Sequence, residues 1–159
     1  MAAQVDLLYR IHMRQNLNGQ SPLLRQHESD SPTAWLESFD WSQLPADRAR
    51  VVLAHGSVQG FGASDADLTV ATAGRRSDSN RLRLERLPPA QIDYIALGDW
   101  HALHAVSDRC WYSGTPEPDR FPRTPEDQRG QVLLVELARG TRPAVTPLPT
   151  ASLRWHNER

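Results

Sequence analysis

Apolar residues along this chain fall into short runs separated by glycine, proline and polar stretches, and none approaches the roughly twenty residues that a membrane span requires. Two runs are alike. Val51-Val52-Leu53-Ala54 is continuous, rich in β-branched residues and closed by His55-Gly56. Ile92-Asp93-Tyr94-Ile95-Ala96-Leu97 follows the punctuation Pro88-Pro89-Ala90-Gln91 and is closed by Gly98. Both predict buried strands that end in polar loops. Beyond them, Arg109 to Tyr112, Gln131 to Leu137, Thr141 to Leu148 and Ser152 to His156 read as strands, with a loop carrying four prolines over Pro116 to Gly130. Hairpin-like spacing over 109–156 predicts a mixed or antiparallel sheet.

Helical signals are fewer. Val5 to Met13 has the spacing of a short helix, and the polar stretch Gln15 to Gln20 reads as a linker, so residues 1–20 stand apart as an uncertain N-terminal segment before a domain over 21–159. A capping serine, a proline at the first helical position and apolar residues at Trp35, Leu36 and Phe39 predict a helix over Pro32 to Phe39. Residues 56–81 are rich in Gly, Ser, Asp and Arg without periodicity, which fits a surface excursion.

Composition narrows the setting without naming a function. The 159 residues are about one domain long, 39% hydrophobic and 23% charged, which predicts a soluble protein. No charged, apolar and small-residue leader pattern opens the chain, so a cytoplasmic location is the default expectation. The single cysteine, Cys110, has no neighbour that would activate it and reads as buried packing. A net charge of −1 provides no global field to attract nucleic acid, so any phosphate contact must be local. All 18 basic residues are arginine, which reads as a compositional bias rather than a recognition device.

Candidate chemistry sits where the two buried strands end. In Gly98-Asp99-Trp100-His101, an extended backbone would turn Asp99 and His101 to one side and Trp100 to the other. A carboxylate and an imidazole at that spacing suit manganese, zinc or iron. Taken alone, Asp-x-His reads as a surface turn rather than a metal site, and His55 reads as packing. If the two strands are neighbours, His55, Asp99 and His101 meet at the carboxyl edge of one sheet, where α/β folds place ligands. His104, close to this clamp, reads as a solvent-facing turn histidine, and His12, His27 and His156 carry less. Arg120 and Arg123 are candidates for phosphate contact, whereas the five tryptophans read as core or rim packing rather than base-stacking platforms.

The order of three segments, Val51 to Gly60, Tyr94 to His101 and Trp111-Tyr112-Ser113-Gly114-Thr115-Pro116-Glu117-Pro118, resembles the later motifs of calcineurin-like metallophosphoesterases, nearest to the SbcD-like DNA repair exonucleases. The resemblance runs from about Pro22 to His156 and includes Leu24 to Ser29. It implies an α+β fold, the β-rich second half of a four-layer α/β/β/α sandwich, and hydrolysis of phosphodiester bonds at two divalent ions, manganese first among them. It also implies that His55 and Asp99 bind the second metal and His101 the first, with Asp99 in the place of the first histidine of Gly-His-x-His. No catalytic residue follows from it. The family's earlier motifs, an Asp-x-His pair, a bridging Asp and Gly-Asn-His-Asp, have no counterpart in this sequence. The chain therefore reads as a truncated or split form, inactive or weakly active by itself, or as a non-catalytic remnant or interaction module of the same fold. Implied partners are DNA or another phosphodiester, an SbcC-like ATPase or a separately encoded amino-terminal half, and a second copy of the chain.

Overall fold

Strand residues that bury nearly every side chain need cover on both faces, which favours a parallel sheet over a half-exposed hairpin. The computed structural model, which describes residues 6–10, 33–58, 81–122, 125 and 127–156, has that arrangement at its centre. Its strands are β1 (Asp6–Arg10), β2 (Arg50–His55), β3 (Ser57–Val58), β4 (Arg81–Leu82), β5 (Tyr94–Gly98), β6 (His104–Ser107), β7 (Cys110–Tyr112), β8 (Gln131–Glu136) and β9 (Ala144–Pro149). A single four-residue α-helix, α1 (Ala34–Glu37), precedes β2 among the described residues. The domain is thus mixed, with strands dominating.

Five strands form one sheet in the order β1-β2-β5-β7-β6. The first four run parallel, and β6 returns antiparallel along β7. Register places Val52 beside Ile95, Ala54 beside Leu97, Ile95 beside Cys110 and Leu97 beside Tyr112. These side chains share one face, and Leu36, Trp41, Leu82, Leu87 and Ile92 join them in the core. Cys110 is buried there, and burial pushes its thiol up to about 12, as its packing role requires.

The amino end of this sheet is closed by one carboxylate. Asp93, fully buried, accepts hydrogen bonds from Arg50 N (2.8 Å), Gly140 N (2.8 Å) and Arg139 Nη1 (3.0 Å). It therefore ties β2 and β5 to the turn of the β8–β9 hairpin. That hairpin pairs antiparallel from Gln131↔Pro149 to Glu136↔Ala144 and forms a separate two-stranded sheet. Pro147 and Pro149 are tolerated because β9 pairs on one side only. On one face of the hairpin Val132, Leu134 and Leu148 are exposed.

Three expectations need correction. Residues 6–10 are a strand beside β2, not part of a helix over Val5 to Met13; the apolar run Leu7-Leu8-Tyr9 also suits a strand, and the open edge of β2 takes up its backbone. His104, read as a turn histidine, opens the strand β6, because β7 offers that segment an antiparallel partner. Ser152 to His156 are not a strand. The amides of Ser152 and Leu153 donate instead to the Glu117 carboxylate (3.0 and 3.1 Å), and Trp155 Nε1 donates to Pro118 O (2.8 Å). The helix expected over Pro32 to Phe39 is shorter, and Pro32, the linker at 15–20 and the stretch Leu24 to Ser29 lie outside the described residues. Of the excursion at 56–81, the described ends pair as β3 and β4. Among the described residues no helix is long and apolar enough to cross a membrane.

Candidate metal centre

Because β2 and β5 are parallel neighbours, both deliver their last residues to the same edge of the sheet, and His55 lies directly opposite Gly98. The imidazole of His55 occupies the space above that glycine: a Cβ there would stand 2.7 Å from His55 Nδ1. Gly98 thereby gives the ring room to reach the next residue. His55 Nε2 stands 3.7 Å from Asp99 Oδ1, with both side chains accessible to solvent. This exceeds a hydrogen bond. It matches the roughly 3–4 Å that separates two donors held at about 2.0–2.2 Å on one ion. The donor set, a neutral-capable nitrogen and a carboxylate oxygen, fits a borderline divalent cation.

Asp99 has φ of 96°, alone among described non-glycine residues in being positive. The extended-backbone argument for residues 99 and 101 therefore does not hold, since β5 ends at Gly98 and the chain turns sharply at the next residue. Asp99 lies beside His55, whereas His101 is turned to Asp119. Trp100 packs inward against Tyr112 and His104, with ring centroids 6.3 Å apart in each pair, while Asp99 and His101 remain exposed. A left-handed non-glycine residue costs about 1–3 kcal/mol and persists where surrounding contacts hold it.

The chain on either side of the site is held by the Tyr112 to Thr115 segment. Tyr112, 2% exposed, donates its hydroxyl to Gly56 O (2.8 Å) and accepts from Val58 N (3.2 Å), which anchors the loop after His55. Burial pushes that phenol up to about 12, so it remains a neutral donor at physiological pH. Gly114 has φ of 74°, and a Cβ there would meet His101 O at 2.8 Å and Leu103 N at 2.9 Å. Thr115 N donates to His101 O at 3.0 Å. A side chain at 114 would therefore push the histidine loop away.

His101 is turned toward the proline-rich loop. Its Nδ1 lies 2.5 Å from Asp119 Oδ2, and Arg129 Nη1 donates to Asp119 Oδ1 at 2.6 Å. Arg129, whose side chain is 3% exposed, also donates from Nε to Asp127 Oδ1 at 2.7 Å. Burial pushes the Asp119 carboxyl up, but the hydrogen bonds from His101 and Arg129 outweigh it and hold the group below the ordinary carboxylate range. The same exchange, desolvation opposed by two carboxylates, leaves Arg129 above its usual value.

The structure thus brings His55 and Asp99 together and places His101 two residues on, against Asp119. Among the described residues no group of three or more His, Cys, Asp or Glu side chains is gathered closely enough to hold an ion. His104 is not a solvent-facing turn histidine; it is half-buried in β6 beside Trp100. Arg120 lies 3.9 Å from Asp127, and Arg123 is outside the described residues, as are His12 and His27. Trp41 and Trp100 belong to the core and its rim, whereas Trp155 is exposed, 5.5 Å from the ring of Phe121. Asp119, Arg129 and Tyr112 went unread from sequence. Tyr112 carried a signal, its place in Tyr-Ser-Gly-Thr-Pro; the other two did not, being an aspartate and an arginine in a polar loop. No family model matches the chain, and no curated protein matches it.

Proposed function

We propose that this chain is the carboxyl-terminal part of a metal-dependent phosphoesterase, a DNA exonuclease of the calcineurin-like kind, and that its strands are half of a four-layer α/β/β/α sandwich. The observation that carries the reading is the approach of His55 and Asp99 to 3.7 Å at the carboxyl edge of two adjacent parallel strands. His55 and Asp99 would hold one divalent ion, manganese by preference, and His101 would bind a second through Nε2. The ions supply charge neutralisation at the phosphodiester and activation of a water. The chain's own residues position that chemistry: Gly98 leaves room for the His55 ring over the strand end, and Gly114 and Thr115 fix the loop bearing His101. The remaining ligands come from a separately encoded half or another stretch of the same protein, with an SbcC-like ATPase as a further partner.

Manganese titration of the full chain followed by electron paramagnetic resonance tests this. Binding is expected in the wild type and at least about tenfold weaker in His55→Ala and Asp99→Ala, the scale seen when metal-site groups are lost. Equal binding in all three proteins contradicts the assignment. A second reading, a non-catalytic interaction module of the same fold, draws on the exposed apolar face formed by Val132, Leu134 and Leu148. Hydrolysis of bis(p-nitrophenyl) phosphate or single-stranded DNA in manganese decides between them; metal binding without turnover, also after addition of the upstream-encoded half, favours the module.

A further inference from the structure

The contact between His101 and the proline-rich loop fixes more than the position of a ring. Asp119 Oδ1 is occupied by Arg129, a group that only donates, and Oδ2 faces His101 Nδ1 at 2.5 Å. An ionised carboxylate can only accept. Nδ1 must therefore carry a proton, and in the neutral imidazole Nε2 is left with a free lone pair. Arg129 is itself held from its other side by Asp127 and is almost fully buried, so the carboxylate has one available orientation.

We infer that Asp119 is a positioning residue for His101: with Arg129 behind it, it holds the imidazole in the Nδ1–H tautomer and presents Nε2 as the donor atom toward a divalent cation. The carboxylate–imidazole arrangement is one that metal sites use to orient a histidine and raise its donor strength. The inference rests on the metal-binding reading only for the identity of what Nε2 faces; the tautomer itself is a property of the metal-free protein. Two elements distant in sequence are linked by it. The strand-end loop supplies the ligand, and the loop after Pro116 supplies its orientation.

The network also dictates the outcome of the most conservative change. In Asp119→Asn the side chain keeps its shape, but one end becomes an amide donor. Arg129 requires an acceptor, so the amide oxygen stays against the guanidinium and the NH2 group turns to His101. Nδ1 must then accept, and the proton moves to Nε2, the atom the site needs free. An isosteric substitution thus reverses the tautomer without removing a hydrogen bond.

Long-range 15N–1H correlation spectra of the metal-free full chain, at about pH 8.5 where an ordinary imidazole is neutral, read this directly. The wild type is expected to show His101 protonated at Nδ1 and Asp119→Asn to show it protonated at Nε2. Manganese affinity of Asp119→Asn should fall about 10- to 100-fold. An Nε2–H wild type, or the same tautomer in both proteins, overturns the inference. The expected reversal between wild type and Asp119→Asn, with a wild type that binds no manganese, upholds the positioning role and refutes the metal reading, so the two claims fail separately.

Discussion

Asp93 and Asp99 flank the same strand, β5, at opposite ends, and the protein treats them in opposite ways. At the amino end Asp93 is fully buried and accepts two backbone amides and an arginine, so its carboxylate is saturated by the fold itself. At the carboxyl end Asp99 is 38% exposed, sits on a positive φ of 96° and faces His55 across a gap of 3.7 Å. One aspartate closes the structure, and the other is held at a strained φ, partly exposed and beside an imidazole. Identical side-chain chemistry becomes buried scaffold or exposed candidate ligand according to which end of a parallel strand bears it, and the exposed one lies at the edge where open α/β sheets place their ligands.

The contrast predicts unequal effects on stability. Asp93→Ala leaves Arg50 N and Gly140 N without their acceptor and deprives Arg139 of its carboxylate partner; removal of one partner from such a buried arrangement costs about 3–5 kcal/mol. Urea unfolding at neutral pH measures it, and a loss below about 1 kcal/mol would show that the amino end is not closed by this group. Gly114→Ala comes next. The strained φ and the approach to His101 O and Leu103 N together cost on the order of 2 kcal/mol, and the His101 loop shifts with the change.

Smallest is the effect of acid on the carboxyl-terminal segment. Hydrogen bonds from the Ser152 side chain and from the amides of Ser152 and Leu153 hold the Glu117 carboxyl below its ordinary 4.5. The folded value is depressed, so this anchoring is complete above about pH 4.5 and is lost as the pH falls through the lower folded value. Trp155, whose indole donates to Pro118 O, reports the release as a fluorescence change in that range. The transition should be absent in Glu117→Gln; an unaltered transition in that variant would assign it elsewhere.

Much of this arrangement was legible in the residues. Continuous apolar runs ending in His55-Gly56 and Gly98-Asp99 gave both central strands and the edge at which their last residues meet. β6 was not legible, because His-Ala-Val-Ser has no pattern of its own and is a strand by virtue of β7 beside it. The edge strand β1 was misread as helix for a related reason: Asp-Leu-Leu-Tyr-Arg suits either state, and the open side of β2 decides. Within the site, the candidate ligands carried a spacing signal. Their supports did not, since Asp119 reaches His101 only through the path of a proline-rich loop that Gly114, Thr115 and Arg129 set in three dimensions.

The central claim, that the carboxyl edge keeps Asp99 strained for the sake of a metal ligand, is tested most directly by Asp99→Gly. Glycine adopts the positive φ without penalty, which offsets its greater freedom in the unfolded chain, so stability should hold or rise by up to about 1 kcal/mol. Manganese affinity, measured on the same samples, should fall at least about tenfold. A variant that loses stability while binding manganese as the wild type does would contradict the account.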